Sequence, residues 1–137
     1  MTKISASDSG GGDFIVGQKP VWFKKDMATA TLEGRKTMTT RDHRLTLGLH
    51  TAVSGSRFKR RNFAIIKVLD SIETNWVRVV GLYYREEGFE SPRKMMDWCK
   101  ANGLNYANSD RQLYRHPYEL VRKIAATPEP NAMEVGR

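Results

Sequence analysis

The chain has 137 residues, 23 of them Lys or Arg and 15 Asp or Glu, for a formal net charge of +8; that suits one domain with its own core. A hydrophobic content of 39% argues against wholesale disorder, and one cysteine and three histidines give neither a disulfide framework nor a structural zinc pattern. Apolar runs fall far short of the ~20 residues of a membrane span, and the N-terminus lacks the apolar stretch of a secretory signal; the expectation is a cytoplasmic protein, without membrane contact, whose basic balance favours a polyanion such as nucleic acid.

Residues 1–19 read as a flexible leader, because the Ser/Gly/Asp run from Ser5 to Asp13 has almost nothing to bury. Residues 126–137, with Pro128-Glu129-Pro130, read as a tail. The leader carries two lysines against two aspartates and the tail one arginine against two glutamates, which leaves +9 on residues 20–125. The basicity belongs to the expected folded domain.

That domain opens on a short strand at Val21-Trp22-Phe23. Lys24 to Glu33 has helical spacing and ends at Gly34, where a left-handed residue suits glycine. Thr37 to Arg41 is β-branched and alternating, hence a strand. Gly48 to Arg61 is polar and basic and reads as a loop or hairpin. Phe63 to Leu69 and Trp76 to Tyr83 are near-continuous apolar runs, the two clearest strands by pattern. Ser91 to Gly103 is the best helix, with a serine cap, proline in the first turn and Asn102-Gly103 at the end. Pro117 to Ile124 fits a last strand or a short helix. Strands outnumber helices without long crossovers, so the fold class is α+β, a small mixed, largely antiparallel β-barrel with peripheral helices.

Charge clusters between Arg35 and Arg61, where Arg35, Lys36, Arg41, Arg44, Arg57, Lys59, Arg60 and Arg61 face a single acid, Asp42. Phe58 and Phe63 bracket the Lys59-Arg60-Arg61 run, a mixture of charge and ring that suits phosphate contact and base stacking; the plainer reading is a solvated hairpin tip. Arg93 and Lys94 occupy a helix first turn, where the dipole disfavours cations. They join the candidate contacts, although a solvated helix face accounts for them too. His43, His50 and His116 show no partner pattern and read as solvated or core-satisfied.

Lys36 and Thr39 can share a site if Lys36 lies in the turn that Gly34 permits and the strand starts near Met38. Thr37, Thr39 and Arg41 then line one face while Met38 packs inward. A threonine hydroxyl needs a base to become a nucleophile. Lysine serves only when neutral, which burial or the charges of Arg35 and Arg41 would favour. Arg85-Glu86-Glu87-Gly88-Phe89-Glu90 offers carboxylates that orient a lysine or move protons; otherwise they face solvent.

Gly34-Arg35-Lys36-Thr37-Met38-Thr39-Thr40-Arg41, followed by Glu87-Gly88-Phe89 and a short helix, resembles the ASCH domain family, a PUA-like β-barrel group associated with RNA. The first block matches its G-x-K-T-x-T-x-R pattern, and the resemblance spans roughly residues 21–103 in motif order. It implies a cleft lined by both blocks. One branch of the family removes acyl groups from N4-acetylcytidine with a lysine, a threonine and a glutamate, which fall here on Lys36, Thr39 and Glu87. In that reading Thr39 is the nucleophile, Lys36 its activator, Glu87 the lysine's partner and Arg41 an anion or base contact. Other members are ribonucleases or plain RNA binders. No cofactor or metal is implied. Where the family often has a Gly-Asp turn, this chain has the basic 48–61 segment, and its C-terminal part carries Arg111, Arg115, His116 and Arg122. Both departures favour a polymer over a free nucleoside. The expected function is therefore an RNA- or nucleic-acid-binding domain with a Lys-Thr-Glu hydrolytic site acting on RNA or an acylated cytidine. The alternatives are a non-catalytic reader of single-stranded or modified nucleic acid and a protein-interaction domain whose charge aids solubility.

Overall fold

The structure, a computed structural model, describes residues 18–56, 58–104 and 111–124. Leader residues 1–17, the tail 126–137 and Arg57 lie outside the described residues. In chain order the elements are β1 (Val21–Trp22), α1 (Lys25–Leu32), β2 (Met38–Arg41), β3 (Gly48–Ser56), β4 (Lys59–Val68), β5 (Ile72–Thr74), α2 (Trp76–Leu82), α3 (Pro92–Ala101) and β6 (Leu113–Lys123). The strands form one curled mixed sheet in the order β1-β3-β4-β6-β2, with β5 also paired to β6. Among the described residues, only the β1–β3 pairing is parallel. The α+β architecture expected from the sequence is the one observed.

The basic 48–61 segment is a regular hairpin, β3 and β4, with a register shift between Ala52 and Val53. Its tip is tight. Gly55 has a φ of +96°, and a Cβ there would stand 2.3 Å from the Lys59 carbonyl oxygen. Strand β4 lies between β3 and β6, and Phe63, Ala64, Ile65 and Ile66 are all buried, as a covered strand with a continuous apolar run should be.

The segment from Pro117 belongs to a strand, β6, that starts earlier at Leu113, ends at Lys123 and serves two partners along one edge. Leu113 to Arg115 pair with β5 and Tyr118 to Lys123 with β4. Pro117 stands at the change of partner. Having no N–H to donate, it suits a place where the ladder is interrupted, and its carbonyl accepts from the Leu69 N–H.

One expectation is corrected. Trp76 to Tyr83, read as a strand, is helix α2. Asn75 caps it, its side chain accepting from the Arg78 N–H at 3.0 Å, and Trp76, Val79 and Val80 are buried while Val77 and Leu82 are exposed. The i, i+3, i+4 spacing of those buried residues overrides the β preference of the valines. The Glu87 block therefore follows a helix.

Burial divides into two cores. Val21, Phe23, Met27, Phe63, Ile66 and Tyr118 centre the first, where α1 covers the sheet. Met38, Trp76, Val79, Met95, Cys99 and Leu113 form the second, where α2 and α3 pack near β2 and β6. Phe89 and Trp98, their rings 5.6 Å apart, pack against both.

His116 is buried and ties four segments together. Its Nδ1 donates to the Thr39 carbonyl at 3.2 Å, and its Nε2 accepts from the Leu45 N–H at 3.0 Å and the Ser71 hydroxyl at 2.9 Å. The carbonyl can only accept and the amide can only donate, so these partners fix a neutral tautomer. Burial lowers the His116 pKa from 6.5 to about 4, helped by Arg41, His43 and Arg44, while the Thr39 carbonyl opposes the shift. Between those values the unfolded chain binds the proton and the folded one does not. The stability from this neutral histidine is thus full above about 6.5 and lost as the pH falls towards 4, by about 3 kcal/mol. Urea unfolding of wild type and His116→Gln at pH 7.5 and 4.5 should show a smaller pH dependence in the variant; equal slopes would place the titration elsewhere.

Candidate functional site

Helix α1 ends in a wrap that sets the first site residue. Gly34 takes φ +82°, and the Arg35 and Lys36 N–H groups both donate back to the Ala30 carbonyl, at 2.9 and 3.1 Å. Lys36 is thereby turned inward before β2 begins. The second block comes alongside through backbone bonds, Thr37 and Met38 N–H to the Glu86 carbonyl at 2.8 and 3.0 Å. Gly88 allows the contact. Its φ is +102°, and a Cβ on it would meet the Lys36 Cβ at 3.2 Å.

Lys36 and Glu87, 51 residues apart, form an ion pair of 2.7 Å with side chains only 5% and 6% exposed. Lys36 Nζ also donates to the Glu87 carbonyl at 3.2 Å, which leaves one of its three protons for another acceptor. The second carboxylate oxygen, Oε2, accepts from the Thr40 hydroxyl at 2.6 Å. The Thr39 hydroxyl, also in the site, accepts from Arg41 Nε at 3.1 Å. The structure thus joins Lys36 to Glu87 and Thr39 to Arg41, with Thr40 as a residue the sequence reading missed. Its position is a free one in the G-x-K-T-x-T-x-R pattern, so the pattern carried no signal for it.

All these side chains line a cleft of about 660 Å³. Its walls include Trp22, Phe23, Trp76, Phe89 and Trp98, and it is lined by members of both cores. Aromatic walls with a few convergent polar groups are the usual make-up of a small-molecule site. Arg41 spans the gap between the strands at the two ends of the sheet order. From β2 its Nη2 donates to the Trp22 carbonyl on β1 at 2.7 Å, and its guanidinium lies 5.4 Å from the Phe23 ring centre. Trp98 Nε1 donates to Asp26. Cys99 lines the cleft too, but burial, with Glu87 adding to it, pushes its thiol up to about 12. It is protonated and unreactive near neutral pH. Asp42 and His43 lie beside the leaving end of β2 and also line the cleft. The His43 hydrogen bond holds the Asp42 carboxyl below its usual range, against some burial and with help from Arg111.

The expected nucleic-acid contacts are scattered. Lys59, Arg60 and Arg61 are exposed at the start of β4, beside Phe58, which is 89% exposed. Arg60 lies over the Trp22 ring at 5.8 Å, linking the hairpin to the cleft wall. Arg35 pairs with Glu33, Arg44 stacks on Tyr114 and approaches Glu73, Arg93 pairs with Asp97 and Lys94 with Glu90. The two first-turn cations of α3 therefore have acidic neighbours one turn away. Among the described residues no His/Cys/Asp/Glu group is arranged to hold a metal ion, and no helix is long and apolar enough to cross a membrane.

No protein-family model and no curated protein matches the sequence. Solved structures do match the fold. An ASCH protein from Zymomonas mobilis superposes with a TM-score of 0.55 at 13% identity, over 88% of this chain and 81% of that one. A protein from Enterococcus faecalis V583 of the family DUF984 gives 0.51 at 16% identity, over 76% and 77% of the two chains. The chain has an ASCH-like fold, as the two sequence blocks led us to expect.

Proposed function

We propose that this chain binds a single-stranded nucleic acid, takes one base into the aromatic cleft and hydrolyses an acyl amide on that base's exocyclic amine, as on an N4-acylated cytosine. The observation that carries the reading is the buried Lys36–Glu87 pair, bonded to Thr40 and opening onto a cleft walled by five aromatic rings. A planar base stacks on such rings at ~1–3 kcal/mol each. Thr39 is the nucleophile, its oxygen polarised by the Arg41 N–H. Moving a proton along the Lys36–Glu87 hydrogen bond leaves a neutral amine that takes the Thr39 proton as the hydroxyl attacks. Thr40 is a positioning residue for the carboxylate. The remaining Lys36 proton and Arg41 supply donors for the oxyanion. Lys59, Arg60 and Arg61 hold the flanking phosphates.

The test is incubation with N4-acetylcytidine, free and within an RNA oligonucleotide, followed by mass spectrometry. Deacetylation, faster in the oligonucleotide, is expected; unchanged material in both sinks the enzymatic reading, and shortened RNA redirects it to the phosphodiester. In a parallel binding titration, alanine at Lys59, Arg60 and Arg61 together should reduce the slope of log K against log salt by roughly 2, at ~0.7 per lost phosphate contact. An unchanged slope would move the anion surface elsewhere.

A further inference from the structure

An amide cannot release its amine without a proton on the leaving nitrogen, which the base that deprotonated the nucleophile or a separate acid can supply. A second acid–base group lines the same cleft. His43 Nδ1 faces Asp42 Oδ1 at 2.8 Å, and Asp42 Oδ2 is held by Arg111 Nη2, also at 2.8 Å. A carboxylate on Nδ1 makes that nitrogen the donor and leaves Nε2 for the substrate, the orienter–imidazole arrangement of acyl-transfer sites. His43 Nε2 has no hydrogen-bond partner among the described residues, and the side chain is 66% exposed at the cleft. The titratable and charged groups around it are Asp42 and Arg111, with Arg41 and Arg44 flanking it in the chain and His116 of β6 within electrostatic reach. Thr39, Asp42 and His43 all line this one cleft.

We infer that His43 is a further catalytic residue, the general acid that protonates the leaving amine through Nε2, with Asp42 as its positioning residue and Arg111 as the anchor of Asp42. This rests on the hydrolytic reading above. The bond from Thr39 Oγ1 to the acyl carbon forms and the C–N bond breaks. The Thr39 proton passes to the Lys36–Glu87 pair, and the amine takes its proton from His43. Water then attacks the acyl-threonine, giving one proton back to His43, while the pair returns its proton to the Thr39 oxygen. The products are the carboxylic acid and the free amine.

The test is the pH profile of kcat on N4-acetylcytidine in RNA for wild type, His43→Gln, His43→Gly and Asp42→Asn, with melting curves to confirm folding. The wild-type profile should carry an alkaline limb. His43→Gln should fall by about 10²–10⁴-fold, the usual worth of a general acid, and lose that alkaline limb. Added imidazole should restore part of the His43→Gly rate. Asp42→Asn should fall less and keep an alkaline limb. Full activity and an unchanged limb in folded His43→Gln overturn the assignment of His43 while leaving the hydrolytic reading intact. An inactive wild type overturns the hydrolytic reading, and the role of His43 with it.

Discussion

Replacing Lys36 with methionine should cost about 3–5 kcal/mol of folding stability, the usual result of stranding one partner of a buried ion pair. For a domain of this size that lowers Tm by roughly 10 °C or more. The carboxylate of Glu87 would keep Thr40 as a donor but lose the ammonium at 2.7 Å, inside a site where water scarcely reaches. The double variant Lys36→Met/Glu87→Gln should recover most of the loss, because the amide still accepts from Thr40 and no uncompensated charge remains. Thermal melts of the two single variants and the double one give the coupling energy directly. Additive single-variant losses would mean that the pair is not the stabilising unit we take it to be. Both single variants should also be inactive, and the recovered double variant should remain so. That outcome separates the chemistry of the pair from its part in folding.

The second large effect concerns the two threonines. Thr39→Ala should lower kcat by at least about 10³-fold, since it removes the attacking oxygen. Thr40→Ala should lower it by roughly 10–100-fold through loss of the hydrogen bond that orients Glu87. Affinity for the substrate oligonucleotide should change little in either, because stacking and phosphate contacts are untouched. The ranking is what matters. If Thr40→Ala proves the more damaging, the nucleophile is Thr40, whose hydroxyl already donates to a carboxylate 2.6 Å away. Trapping the acyl-enzyme and locating it by peptide mass spectrometry would decide the point independently.

The fold was legible where local chemistry and tertiary context agree. Gly34 ends α1, Ser91 and Pro92 start α3, and β4 reads as a covered strand from Phe63 onwards. It was misread where they conflict. The valines of 76–82 suggest β structure, but Asn75 caps a helix whose buried face is Trp76, Val79 and Val80. Half of the site was legible in the same way. The Gly34-to-Arg41 block and Glu87-Gly88-Phe89 announce a shared cleft, and Lys36 and Glu87 do meet. The aromatic walls were not legible, because Trp22, Trp76 and Trp98 come from three elements that only tertiary packing brings to one space. Thr40 and the Asp42–His43 pair were hidden for another reason: adjacent residues show no spacing pattern, and only the folded strand shows that both neighbours reach the cleft.

The division of the hydrophobic residues into two cores has a mechanical consequence. Each core packs its own helices, and the two meet at Phe89 and Trp98 beside the open cleft. The cleft therefore lies along the plane where the two cores adjoin. A flat ring filling that plane would act as a missing core residue. Occupancy would then be felt far from the ligand, as two loosely coupled halves that melt together.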